Sequence, residues 1–228
     1  MCLDNRGMTS HCLLAFDTST ETMFIAVTDG TKIWQYTAEG GAKTSAALIP
    51  AIMALLREAN LTLQLLDAIV FGRGPGSFTG LRTACSVAQG LAFGAGGIQV
   101  LPVDTLLAVA EEARLKTEVN SIQAVLDARM GEVYAASYTH ENGSWHANSE
   151  VQLCKPEQLQ VEPDVQLAGN CLDDQNRIHA LPTATAMLRL APAMLAAGLG
   201  VPADQALPLY VRDKVAQTTA ERLAMVKL

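Results

Sequence analysis

The segment GRGPGSFTGLR, residues 72–82, has the composition of a phosphate-binding loop: its glycines follow an apolar run, and its hydroxyl side chains come where a helix is predicted to begin. A helix N-terminus presents free backbone N–H groups that attract anions. The spacing nevertheless lacks the lysine of a P-loop, the third glycine of a dinucleotide-binding loop and the flanking glycines of a nucleophile elbow. Two interpretations stay open, a tight turn followed by a capped helix or an anion site.

Two aspartates form the second group of residues that could do chemistry. Asp17 ends the apolar run LLAFD and opens DTST, whereas Asp127 ends AVLD and precedes ARMGE. Facing carboxylates could hold a metal-bound nucleotide between two domains, although each could equally cap a turn. Arg129 and Met130 stand where a phosphate-binding hairpin requires small residues. The candidate nucleotide or phosphate site, possible only in vestigial form, comprises Asp17, Thr18, Ser19, Gly74, Gly76, Ser77, Thr79 and Asp127.

Metal and nucleophile chemistry have little support in the sequence. The four histidines have no spacing typical of a zinc site, and no arrangement that would activate Ser77 is visible. We therefore expect no metal and no cofactor.

The elements that must position these residues follow from hydrophobic periodicity and turn signals. The first half predicts strands over 13–18, 23–28 and 32–37, a helix over 45–60, a strand over 67–72, a helix over 77–94, a strand over 99–102 and a helix over 104–116. This order, a meander followed by crossovers, predicts an α/β protein with a mixed sheet flanked by helices.

The second half repeats the opening of the first. LLAFDTSTETMFIAVTDGTKIWQ and QAVLDARMGEVYAASYTHENGSWH each contain an apolar strand ending in aspartate, a hairpin, a second strand, a turn and a strand with tryptophan. A strand over 165–169 and helices over 183–198 and 218–227 follow. We interpret this as an internal duplication, with domains over 11–103 and 104–228 after a frayed tail over 1–10; the last helix could pack on either domain.

The two helices of the first domain are unusually apolar. The helix over 45–60 carries two apolar stripes, of which one can cover its own sheet and the other requires a cover from elsewhere. The helix over 77–94 is rich in small residues that let another helix approach closely. These helices could be core elements buried on both sides or a subunit interface. The predicted partner surface comprises Leu48, Ile49, Ile52, Met53, Leu55, Leu56, Leu81, Ala84, Cys85, Ala88, Leu91 and Ala92.

Composition limits the function classes. The 228 residues carry a net charge of −7, which argues against a protein that grips nucleic acid alone. Five cysteines without a CxxC pattern favour reduced thiols in a cytosol over a disulfide framework. The most apolar run, residues 91–103, is too short for a membrane span.

Four motifs, FDTST, GRGPGSFTGLR, LDARMGEVY and PLYVRDKVA, together resemble the TsaB (YeaZ) family of bacterial tRNA threonylcarbamoyladenosine biosynthesis proteins. The resemblance runs from about Leu13 to Ala216. It implies two duplicated RNase-H-like domains of the actin/Hsp70/sugar-kinase (ASKHA) fold. It also implies a non-catalytic scaffold that binds a TsaD-type threonylcarbamoyltransferase through the helices of the first domain and forms a homodimer when alone.

The same resemblance implies a TsaE-like ATPase in the larger complex and only indirect contact with tRNA. The helix over 45–60 lacks the paired histidines of the TsaD metal site, and ARMGE departs from the glycine-rich phosphate hairpin of active ATPases of this fold. Two other functions stay open. The chain could be an ATPase or small-molecule kinase that acts alone around Asp17 and Asp127, and an old glycoprotease label suggests a peptidase, which no zinc or nucleophile constellation supports.

Overall fold

The computed structural model describes residues 2–3, 9–171 and 177–212. Strands β1 (Cys2–Leu3) and β2 (Thr9–Ser10) form a short antiparallel pair, where the sequence predicts a frayed tail. The first large sheet has the strand order β5-β4-β3-β6-β7. Its strands are β3 (Leu13–Asp17), β4 (Thr22–Thr28), β5 (Ile33–Glu39), β6 (Ala68–Gly74) and β7 (Gln99–Asp104).

The first sheet combines an antiparallel meander with parallel crossovers. β3, β4 and β5 pair antiparallel, and β6 and β7 add in parallel beside β3. The turn between β4 and β5 forms because the Asp29 carboxylate accepts hydrogen bonds from the backbone of Thr31 and Lys32, each at 2.8 Å. The crossovers are α1 (Thr44–Glu58) and α2 (Phe78–Gly94). Both lie within one residue or two of the predicted helices.

The second sheet has the order β10-β9-β8-β12-β13, and β11 also pairs with β9. The strands are β8 (Ser121–Arg129), β9 (Glu132–Glu141), β10 (Ser144–Ala147), β11 (Gln152–Cys154), β12 (Gln166–Gly169) and β13 (Ile178–His179). The sequence repeat predicts β8, β9, β10 and β12. It misses β11 and β13, which have three and two residues and therefore no readable alternation.

Two helices lie between the sheets. α3 (Thr105–Thr117) packs on β8, and α4 (Ala184–Ala196) packs on β3 and β4. The predicted boundary at residues 103 and 104 thus lies between the two sheets, but α4, which comes after it in the chain, covers the first sheet. Partly buried ion pairs join the two helices, since Arg189 donates to Glu111 at 2.7 Å and to Glu112 at 3.1 Å.

The outer face of the first sheet is covered by α1 and α2, which pack against each other and bury Leu14, Phe16, Leu48 and Ile52. The predicted fold class, mixed sheets flanked by helices, is confirmed. The predicted helix over 218–227 lies outside the described residues. In the described part of the chain, no helix combines the length and the apolar character required to cross a bilayer.

Candidate functional site

The glycine-rich loop between β6 and α2 packs directly against the end of β3. A Cβ atom at Gly72 would lie 1.8 Å from the Asp17 Oδ2 atom, and a Cβ at Gly80 would lie 1.8 Å from the Thr18 carbonyl oxygen. At Gly76 a Cβ would lie 2.6 Å from the Ser19 carbonyl oxygen. Real Cβ atoms do not approach so closely, so these glycines are required by contact with the chain's own DTS segment.

Ser77 is the N-cap of α2. Its side chain accepts a hydrogen bond from the Gly80 N–H, and its own N–H donates to the Ser19 carbonyl at 2.8 Å. The Thr18 hydroxyl donates to the Gly80 carbonyl at 2.7 Å. Two of these hydrogen bonds fasten the loop and the first turn of α2 to the end of β3, and the third caps the helix, which supports a tight turn with a capped helix.

Asp17 is fully buried. Its Oδ1 atom accepts hydrogen bonds from the Ser19 N–H at 2.9 Å and the Ser19 hydroxyl at 2.7 Å, whereas Oδ2 has no hydrogen-bond partner among the described residues. Burial raises the pKa of Asp17 to about 7 despite the two hydrogen bonds from Ser19. Such a carboxyl is half protonated near neutral pH and is closed off from a metal ion.

Asp127 does not face Asp17. Asp17 lies on the face of β3 that packs on α4, together with Leu13 and Ala15. Asp127 lies on the same face of β8 as Val125, and this face points away from α3. Asp127 Oδ1 accepts the Arg129 N–H of its own hairpin at 2.8 Å. The predicted pair of facing carboxylates is not formed, because Asp17 is on the face of its sheet that a helix between the sheets covers, whereas Asp127 is on the face of its sheet that points away from those helices. Among the described residues no group of three His, Cys, Asp or Glu side chains could hold a metal ion.

A cleft of about 360 Å³ separates the two halves at the loop ends of β3 and β8. The first half lines it with residues 19–21 and 76–79, and the second half lines it with residues 126–130 and Asn170. Arg129 crosses the mouth of the cleft and pairs with Glu21. The hydroxyl groups of Ser19, Ser77 and Thr79 do line this cleft, as the sequence predicts, whereas Asp17, Thr18 and Gly74 lie behind it.

No nucleophile is evident in the described part of the cleft. Ser77 is engaged as a helix cap, and Cys171, which lies near Asp127, has a pKa raised to about 11 by burial and by the Asp127 charge. A thiol with such a pKa is a poor nucleophile. The peptidase alternative therefore gains no support from these side chains.

The predicted partner surface on α1 and α2 requires a correction. Nine of the twelve predicted residues are buried inside the chain, so they pack within the core and are not available to a partner. These nine are Leu48, Ile52, Leu55, Leu56, Leu81, Ala84, Cys85, Ala88 and Ala92. Of the other three, Ile49 is 45% exposed, Met53 is 36% exposed and Leu91 is half-buried.

The exposed side of the helix pair is nevertheless apolar. On α1, Ala46, Pro50 and Ala54 accompany Ile49 and Met53. On α2, the exposed residues Ser86, Gly90 and Gly94 follow each other at four-residue spacing, and Phe93 beside them is 82% exposed. A Cβ at Gly90 or Gly94 would meet no atom of the described residues within 4 Å. Ser86 and Gly90 are among the small residues that the sequence indicates as a close-approach face. Ala46, Pro50, Ala54, Phe93 and Gly94 were not predicted, although their spacing was a readable signal.

Known proteins share this architecture. A family model described as TsaD, tRNA N6-adenosine threonylcarbamoyltransferase, matches residues 39–226. The tRNA threonylcarbamoyladenosine biosynthesis protein TsaB of Escherichia coli is 36% identical over 90% of this chain and 96% of its own length. The chain belongs to the TsaB family. The TsaB protein of Haemophilus influenzae is 33% identical, over 91% of this chain and 96% of its own length.

Solved structures of TsaB-type proteins agree with this assignment. YeaZ from Pseudomonas aeruginosa superimposes with a TM-score of 0.80 at 34% identity, over 88% of this chain and 99% of its own. The family resemblance stated from the four sequence motifs is thereby confirmed.

Proposed function

We propose that this TsaB-family chain acts in tRNA threonylcarbamoyladenosine biosynthesis as a non-catalytic subunit that binds a TsaD-type threonylcarbamoyltransferase. The role in the modification follows from relatives named for it that align over nine-tenths of the chain. Such a role also fits a cytoplasmic protein, since tRNA is the molecule modified. The main support for binding to a TsaD-type protein is the exposed apolar face of α1 and α2.

This face fits a partner surface better than a solvated one. A glycine in the interior of a helix, such as Gly90, weakens it by about 1 kcal/mol relative to alanine, and among the described residues none stands where a Cβ of Gly90 or Gly94 would make contact. They would let the backbone of a partner helix approach α2 closely. Exposed aromatic and methionine side chains such as Phe93 and Met53 are enriched in interfaces.

The similarity between this chain and the TsaD family suggests a TsaD-type protein as the partner. The TsaD family model covers most of this chain, so the partner would carry the same pair of helices on its first sheet. A surface that pairs with a paralogue can also pair with itself, which accounts for a homodimer when the partner is absent. A TsaE-like ATPase would join this assembly, with tRNA contacting this subunit only indirectly.

The absence of catalysis is supported by three features of the site. Asp17 is buried, Asp127 bonds to its own hairpin, and the glycine loop is packed against the DTS segment. The alternative, an ATPase or small-molecule kinase that acts alone, is favoured only by the hydroxyl groups lining the cleft. ATP turnover by the isolated protein that is lost in Asp17→Ala would support that alternative.

The proposed surface is tested by size-exclusion chromatography with light scattering, on the protein alone and mixed with its TsaD-type partner. Met53→Arg would place an unpaired charge in the interface at a cost of about 3 kcal/mol, roughly a hundredfold in Kd. Leu115→Arg is the matched control, because Leu115 is 57% exposed on α3, away from this face. One-to-one complexes formed equally well by wild type, Leu115→Arg and Met53→Arg would disprove the surface.

A further inference from the structure

The tip of the β8–β9 hairpin has an unusual backbone. Arg129 and Met130 have φ values of 64° and 59°, followed by Gly131 at 74°. The left-handed region disfavours residues with a side chain, and a two-residue turn of this type normally contains asparagine and glycine. The strand pairing shifts between Asp127 and Arg129, which marks a β-bulge. Conformations of this kind persist only where surrounding contacts hold them.

The bulge directs Arg129 across the cleft. Bulges commonly re-aim a side chain, and here the guanidinium pairs with Glu21 of the first half and lies 3.4 Å from the Asp127 carboxylate. The backbone of Glu21 is anchored, because its carbonyl oxygen accepts the Gly40 N–H at 2.8 Å. The contact therefore spans the cleft from one sheet to the other.

A second contact holds the same hairpin from the last described segment. Arg212, whose side chain is only 10% exposed, donates to the Ala128 carbonyl at 3.0 Å and pairs with Glu132 at 2.7 Å. Its guanidinium also lies 3.4 Å from the Met130 sulfur. These bonds support the bulged backbone from which Arg129 extends.

The segment that carries Arg212 is anchored to the first half. The Leu209 N–H donates to the Arg73 carbonyl at 2.7 Å, and the Tyr210 ring stacks on Phe78 with the centroids 5.1 Å apart. Gln89 of α2 donates to the Ala206 carbonyl at 2.9 Å. The hairpin of the second sheet is thus connected to the first half along two routes, through Glu21 and through this segment.

We infer that the hairpin tip, residues 127–132, is a latch that holds the cleft between the two halves at a fixed width. Arg129 makes the releasable contact, and Arg212 positions the hairpin. Because both Arg129 and Glu21 are mostly exposed, their pair adds little to the stability of the fold. Its rupture opens the cleft without unfolding either sheet. This inference goes beyond the proposed function and does not depend on the partner.

Hydrogen exchange measured by mass spectrometry tests the latch on the full chain. Glu21→Gln and Arg129→Ala should each speed exchange in peptides covering residues 19–21, 76–80 and 127–132 by about 1.5- to 5-fold, the range expected for an exposed pair. The double variant should exchange no faster than either single variant, because all three lack the same contact. Glu141→Gln is the matched control, since Glu141 is exposed at the end of β9 farthest from the hairpin tip and does not line the cleft.

Arg212→Ala gives the second arm of the test. It should accelerate exchange in the hairpin and also at the cleft side of the first half, while β4 and β9 keep wild-type protection. Unchanged exchange at residues 76–80 in Glu21→Gln and Arg129→Ala, or an equal rise in Glu141→Gln, would overturn the latch. Additive effects in the double variant would overturn it as well, because the two side chains would then act separately.

Discussion

At the scale of single residues, Asp17 shows how burial changes the role of a carboxyl. Its Oδ2 atom has no partner among the described residues, and its pKa is raised to about 7. In the unfolded chain the pKa returns to about 3.8. The folded state therefore holds this proton more tightly, and Asp17 lowers the free energy of unfolding once it ionises.

We predict that the free energy of unfolding of wild type falls relative to that of Asp17→Asn as the pH rises from about 4 to about 7. Each pH unit in this window should cost wild type up to about 1.4 kcal/mol. Asparagine stays neutral and keeps an oxygen for the Ser19 hydrogen bonds. Urea unfolding of both proteins between pH 4 and 8 measures the difference, which should level off above pH 7. A difference independent of pH would show that Asp17 has an ordinary pKa.

Sequence reasoning at this scale singled out the glycine loop and the DTST segment but not what surrounds them. A hydroxyl side chain capping α2 followed from local pattern, since a cap and the helix it begins are adjacent in the chain, and the structure assigns this cap to Ser77. The purpose of Gly72 and Gly80 did not follow, because the atoms that exclude their side chains belong to Asp17 and Thr18, more than fifty residues earlier. The alignment of Asp17 with Asp127 wrongly suggested that the two carboxylates face each other. Two motifs can align in sequence, whereas the side of a strand that a helix covers depends on tertiary packing.

At the scale of elements, α1 shows the limit of hydrophobic periodicity. Both of its stripes are apolar, so the pattern predicted a helix and a need for two covers but could not decide which stripe the chain itself buries. The structure buries Leu48, Ile52 and Leu55 and leaves Ile49 and Met53 outside. An interface list drawn from both stripes therefore included residues that belong to the core.

Gly90→Ala separates the stability of α2 from its proposed contact with a partner. Alanine should raise the free energy of unfolding of the isolated protein by about 1 kcal/mol, because Gly90 is exposed within a helix and has open space beside it. The added methyl group should at the same time weaken the complex with a TsaD-type protein. Thermal unfolding at low protein concentration and a binding titration measure the two effects. A more stable variant that binds as tightly as wild type would argue against close helix contact at Gly90.

Gly72→Ala tests the opposite case, a glycine that is in close contact with another part of the same chain. A methyl group there meets Asp17 Oδ2 at 1.8 Å, so Gly72→Ala should lower the unfolding temperature in the absence of any ligand. If Gly72 served instead to admit a phosphate group, the ligand-free protein would tolerate alanine.

At the scale of the whole molecule, the sequence repeat predicted two similar halves but not how they are joined. α3 covers the second sheet and α4 covers the first, and the last described segment returns to α2. An apolar stripe in the sequence of a helix indicates that this side of the helix is buried, but it does not indicate which sheet buries it. The packing of α4 on the first sheet and the contacts of Arg129 and Arg212 across the molecule therefore had no signal in local pattern.

The final prediction concerns competition between two assemblies. If one face of α1 and α2 pairs this protein both with itself and with a TsaD-type protein, the two complexes exclude each other. The homodimer then lowers the apparent affinity for the partner as the concentration of this protein rises, because self-association must be reversed first. Light scattering during a titration with the partner should show homodimers replaced by one-to-one complexes, without a species that contains two copies of this chain together with the partner.

Ile49→Arg provides the decisive comparison, because Ile49 is 45% exposed on the shared face. An unpaired arginine there should leave a monomer that also fails to bind the partner, while Leu115→Arg keeps both assemblies. A variant that loses only the homodimer would mean that the two assemblies use different surfaces. The exposed side of the helix pair would then belong to self-association. The contact with the TsaD-type partner would have to be sought at the cleft, where Met130 is 58% exposed and Tyr210, which stacks on the cleft residue Phe78, is 45% exposed.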